Sequence, residues 1–143
     1  MRRIHTLFAD YASFHQTRGN KACHRAGIPL IMLSLFGMLA LARLNPNHPH
    51  LNAAVLLIAA STVYYFVLEP RLALVMLAVS AAMYLAALHL PLWLLVALFV
   101  VGWILQGVGH AAYEKKAPAF AKNLVHLMIG PLWIANDLVK VVH

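Results

Sequence analysis

Four long apolar segments without a formal charge constrain this chain more than anything else in it: Ala26–Ala42, Leu51–Leu68, Leu72–Leu90 and Leu92–Ala112. Between Arg43 and Glu114 the only charged residues are Glu69 and Arg71. Each segment is close to the roughly 20 residues with which a helix crosses ~30 Å of hydrocarbon. A soluble domain carries about a quarter charged residues, whereas here 10% are Asp, Glu, Lys or Arg and 63% are apolar. The class expected is an all-α integral membrane protein. Residues 1–143 read as one membrane domain, four transmembrane helices in a bundle, because the short loops "LEPRL" and "LHLPLW" make neighbouring spans antiparallel.

The net charge of +7 reads as topology by its placement. With four crossings and a cytoplasmic N-terminus, ten of the eleven basic residues fall on the cytoplasmic side and only Arg43 lies outside. Both termini are therefore expected in the cytoplasm. The basic surface suits anionic lipid, and nucleic acid is not an expected partner. No cleavable leader is visible, since charges and histidines occupy the first 25 residues where an apolar core should stand. A lone cysteine, Cys23, excludes an internal disulfide.

Two further helices flank the spans. Ile4, Leu7, Phe8, Tyr11 and Phe14 recur at helical spacing, so residues 1–19 read as an amphipathic entry helix stopped by Gly19. Asn20 is the expected N-cap of the helix that follows. Residues 119–142 are apolar but contain Gly130-Pro131 and Asn136-Asp137. They read as an interfacial helix interrupted at Gly130-Pro131, not a fifth crossing.

Nine histidines accompany only four acids, and the topology sorts them. His48, His50 and His89 belong to the outer side. His5, His15, His24, His110 and His126 fall near the cytoplasmic interface. His15 and His24, nine residues apart, would be half a turn out of phase on one straight helix at about 100° per residue. A break at Arg18-Gly19-Asn20 would fold both onto one site. Gln106, His110 and Glu114, at i, i+4 and i+8, share one helix face. Ionisable groups at membrane depth are costly and face the bundle interior. Two readings stay open from spacing: a shared metal with Asn20, Gln106 and Asn123 as supporting groups, or histidines that merely cap helices and bond neighbours.

Tyr11, His15, Asn20, His24 and Gly27-Ile28-Pro29, joined to Trp103, Gln106, Gly109-His110, Glu114 and Pro118-Ala119 and to the terminal Asn123-Leu124, His126-Leu127 and Ile129-Gly130-Pro131-Leu132, carry a resemblance. Together they resemble the family of small integral membrane proteins whose fungal member is an Fe(II)-dependent 2-hydroxy fatty acid dioxygenase. The likeness runs from about residue 4 to residue 138, and "GNKACHRAGIP" is closer to the bacterial branch, which implies an inner-membrane location. It implies α-oxidation: a 2-hydroxy fatty acid and O2 give the fatty acid one carbon shorter. Neutral imidazoles suit Fe(II), and an incomplete protein shell leaves room for substrate and O2. By matching positions the implied ligands are His15, His24 and His110, with His126 as a fourth and Glu114 either a ligand or an orienting carboxylate. Asp10 is a remote alternative ligand. Arg18, Lys115 or Lys116 would meet the substrate carboxylate. The competing functions are a bis-histidine haem carrier of the four-helix type and a membrane scaffold with structural histidines.

Overall fold

The computed structural model describes residues 3–143; Arg2, one of the expected cytoplasmic charges, lies outside them. Six α-helices follow in order: α1 (Arg3–Ser13), α2 (Arg18–Ala40), α3 (Ala53–Leu68), α4 (Pro70–Ala87), α5 (Leu92–Val108) and α6 (His126–Val139). A π-helical stretch, Gly109–Glu114, continues α5, and a single 3₁₀ turn, Ala119–Ala121, precedes α6. Among the described residues there is no strand, only a bridge between Arg43 and Asn52 in the loop after α2.

Three of these helices are long and apolar enough to cross a membrane: α2, α4, and α5 with its π extension to Glu114. The fourth segment forms α3, whose 16 residues rise about 24 Å, short of the ~30 Å of hydrocarbon. Its start is set by Asn52, whose Oδ1 accepts the backbone N–H groups of Ala54 and Val55 at 3.1 and 3.2 Å. Pro70 sits at the start of α4, where its missing N–H costs nothing. Lys115, in the left-handed region at φ 55°, ends the π segment.

Three expectations need correction. The entry helix ends at Ser13, not Gly19, and Phe14–Thr17 form the break. Thr17, not Asn20, is the N-cap of α2: its side chain accepts from the Asn20 backbone N–H at 3.3 Å. The helix therefore starts eight residues before the apolar span expected from Ala26. The C-terminal segment is not one helix over 119–142, and Gly130-Pro131 does not interrupt it, since Pro131 lies inside α6. Ile129 and Leu132, both fully buried, hold the helix against the roughly 3 kcal/mol that an internal proline costs.

Helix α2 is the hub, packed on α3, α4, α5 and α6. Its contact with α5 is backbone on backbone. A Cβ at Gly27 would stand 2.9 Å from the Gly102 carbonyl oxygen, and one at Gly102 would stand 2.9 Å from that of Gly27. Small residues at such crossings let helices approach closely. Gly107, by contrast, faces open space. Two apolar clusters fill the bundle. One joins α1 and α6 to the α3–α4 hairpin through Ile4, Phe8, Leu72 and Leu132. The other, at the opposite end, gathers Phe36, Ala40, Ala54, Ile58 and Tyr84.

This crossing generates a paired prediction. Gly102→Val should lower the unfolding temperature in detergent by an amount corresponding to about 1–3 kcal/mol, the usual cost of overpacking. Gly107→Val should leave it unchanged. Equal effects from the two would contradict the packing described.

Candidate metal centre

The break between α1 and α2 is held from a distance. Glu114, at the end of the π segment, accepts the backbone N–H groups of Gln16 and Thr17 at 2.9 and 3.0 Å. It also accepts the Thr17 hydroxyl at 2.9 Å and the Asn20 side-chain amide at 3.1 Å. A carboxylate at the start of α2 satisfies orphan donors and meets the positive end of the helix dipole. Asn20 also donates to the Phe14 carbonyl at 3.1 Å, so one side chain ties the break to the clamp.

The clamp folds His15 back over α2. The His15 Nδ1–H donates to the Tyr11 carbonyl at 2.7 Å, and the His24 Nδ1–H donates to the Asn20 carbonyl at 3.0 Å. A carbonyl can only accept, so in each neutral ring Nε2 carries the lone pair. These two Nε2 atoms stand 3.0 Å apart. Two lone pairs aimed at each other at that distance repel unless a proton or a cation lies between them. The third ring, His110, packs at 5.0 Å from His15 and 4.9 Å from His24 between centroids, near perpendicular to both. Its Nδ1 is buried without a hydrogen-bond partner.

One ligand nitrogen from each of His15, His24 and His110 lies within 4.8 Å of the other two. All three residues are buried, at 1–3% exposure. Buried polar atoms without partners call for an ion or a water, and backbone carbonyls holding Nδ1–H are the usual way of aiming a metal-binding imidazole. The 3.0 Å separation is what two ligands at a right angle show on an ion ~2.1 Å from each. The residues thus fit a metal. Burial pushes the His15 imidazole down to about 4, so the ring is neutral and its lone pair free at physiological pH. Tyr11 stacks on that ring at 4.1 Å and 14°.

The remaining expected residues distribute themselves differently. His126 is not in the three-histidine group. Its Nε2 lies 2.9 Å from Asp10 Oδ2, at ion-pairing distance without hydrogen-bond alignment. Asp10 is likewise outside the group. All of the Glu114 hydrogen bonds described above run to the α2 N-terminus, which makes it a positioning carboxylate. Asn123 is exposed, and its side chain accepts the Val125 N–H at 3.0 Å, serving the entry to α6. Arg18, Lys115 and Lys116 are exposed and do not line the cavity described next. His48, His50 and His89 are exposed, as expected of loop histidines.

A cavity of about 250 Å³ opens from the triad into the bundle. Tyr11, Gln106 and His126 join the three histidines at one end, and Ile28, Ile31, Met32, Leu35 and Phe36 line it along α2. The Gln106 Nε2 is buried there with no partner. The thin polar end and long apolar wall are the proportions of a site for an amphiphile. Sequence reasoning missed Thr17 as the cap and the π turn that carries His110. Turns of that kind occur often at functional sites, and Gly107 and Gly109 at its start are the one local sign.

Residues 1–142 match a family described as Mpo1-like, 2-hydroxy-palmitic acid dioxygenase Mpo1-like. The 2-hydroxy-palmitic acid dioxygenase MPO1 of Saccharomyces cerevisiae is 30% identical over 128 residues, covering 87% of this chain and 72% of that protein. No solved structure matches the chain.

The clamp yields a prediction. Glu114→Gln keeps the shape but turns an amide donor toward donors. Metal affinity, measured by competition titration, should fall about 10- to 100-fold, and the unfolding temperature should drop. Unchanged affinity would mean that the break holds His15 in place without Glu114.

Proposed function

Because the chain belongs to the Mpo1-like family of 2-hydroxy-palmitic acid dioxygenases, we propose that it is a membrane-embedded Fe(II) dioxygenase. It removes one carbon from 2-hydroxy fatty acids. The observation that carries this reading is the pair of Nε2 lone pairs 3.0 Å apart at the polar end of an apolar cavity. His15, His24 and His110 would hold the iron, which when bound would supply O2 activation and Lewis-acid polarisation of the substrate's polar head. The overall change closes without an external reductant. The C1–C2 bond breaks, O2 is reduced, and the products are the shortened acid, CO2 and water.

The chain's own residues do the rest. The break Phe14–Thr17, pinned by Glu114, presents His15 to the other two rings. Gln106 offers unpartnered amide donors to the polar head of the substrate, a role that the exposed Arg18, Lys115 and Lys116 cannot fill from the surface. The apolar wall takes the tail and keeps water from the reacting end. The bis-histidine haem alternative finds no support. It needs His24 and His110 on opposite faces of a macrocycle, and those rings stand perpendicular with centroids only 4.9 Å apart.

The membrane reading rests on three long apolar helices and on a belt of exposed apolar side chains that includes Val63, Val67, Leu74, Leu85, Trp93 and Ile104. Such a surface on a monomer marks contact with lipid or protein. The α3–α4 hairpin completes four crossings, α3 being accommodated by local thinning. Both termini face the cytoplasm of a bacterial inner membrane, the side that carries the basic residues.

Gently purified protein should contain stoichiometric non-haem iron and consume O2 with 2-hydroxypalmitate, releasing the acid one carbon shorter. Alanine at His15, His24 or His110 should abolish both. A Soret band, or iron retained after loss of the three rings, would contradict the proposal.

A further inference from the structure

The cavity has a length and an end. Its α2 wall runs through His24, Ile28, Ile31, Met32, Leu35 and Phe36, one face of the helix at i, i+4, i+7, i+8, i+11 and i+12. From His24 to Phe36 that face rises about 18 Å. A single lipid tail occupies half of the ~30 Å hydrocarbon core, about 15 Å. The cavity thus accommodates one acyl chain laid along α2, with its head at the triad.

The far end is a wall built to stay. Phe36 is 5% exposed and packs with Ala40, Ala54, Ile58 and Tyr84. Behind it the Asn52 side-chain amide donates to the Tyr84 hydroxyl at 2.8 Å, while Asn52 Oδ1 caps α3. Tyr84, one member of that wall, is thereby tied to the N-cap residue of α3. Halfway along, Ser61 of α3 faces the cavity, its hydroxyl turned back to the Ile58 carbonyl at 3.0 Å.

We infer that Phe36 is the chain-length stop of this enzyme: the cavity between the histidine triad and Phe36 receives the acyl tail, and its depth sets the longest substrate accepted. The inference rests on the dioxygenase reading for the identity of the head group. It rests on the cavity alone for the length of the tail.

The test uses the full chain in lipid nanodiscs. Turnover of 2-hydroxy fatty acids graded in length is read by O2 consumption. Separately, plain saturated fatty acids of the same lengths compete with a fluorescent fatty acid for binding. Phe36→Ala should shift both cut-offs to longer chains, by about one to three methylenes after partial collapse of the space left. Ser61→Leu should shift both to shorter ones. Metal content should match wild type in each variant. Phe36→Leu, a smaller change, serves if the alanine variant is not folded and should give a smaller shift in the same direction. Unmoved binding cut-offs in folded, metal-loaded variants would overturn the stop. If no acid of any length is turned over but the binding cut-offs move as stated, the stop stands and the dioxygenase reading falls.

Discussion

The Glu114 carboxylate, taken up by four donors at the N-terminus of α2, is the interaction on which the remainder of the molecule's chemistry depends. It joins the end of the α5 span to the start of the hub helix. In doing so it fixes the break after α1, the cap at Thr17 and the π turn that carries His110. Two of the three histidines, His15 and His110, sit within four residues of that junction on its two sides. A charged group bonded to backbone N–H donors is among the stronger hydrogen-bonding arrangements available to a protein. It is also compatible with burial, because four donors replace the water that the carboxylate has lost.

What the clamp assembles is a deliberately uncomfortable place. Two imidazoles have committed their Nδ1–H to backbone carbonyls, and the third presents an unpartnered nitrogen. Left empty, such a cluster costs free energy, since buried polar atoms have lost water and gained no partner. The close approach of α2 to α5 through Gly27 and Gly102 borders the cavity, since Gln106 and Ile31, which meet those glycines, also line it. Packing and room for an amphiphile therefore meet at one helix pairing.

Much of this was legible in the sequence, and the rest failed for identifiable reasons. Apolar segments announce themselves over windows of about twenty residues, so the helical class and the location of the long helices were readable. The convergence of His15, His24 and His110 was readable from their shared depth. Boundaries were not, because the start of α2 is decided by a carboxylate 94 residues away from Asn20 in the chain. Asn20 looked like a cap by composition, but Thr17 takes that place and Asn20 bridges the break to Glu114. His126 looked like a fourth ligand by the family resemblance, yet Asp10 faces its Nε2, a pairing across the α1–α6 contact that no local pattern reveals. Pro131 looked like an interruption because its propensity is local, whereas the packing of Ile129 and Leu132 is not.

The central claim is that three imidazoles from the break, the hub helix and the π turn share one ion. X-ray absorption at the iron edge of loaded protein tests it most directly. The account predicts a shell of about three imidazole nitrogens at roughly 2.0–2.3 Å, close to the zinc–imidazole range, the remainder being oxygen. Glu114→Gln should leave those neighbours in kind while weakening their hold. A spectrum with a sulfur or porphyrin signature, or with one imidazole or none, would contradict it.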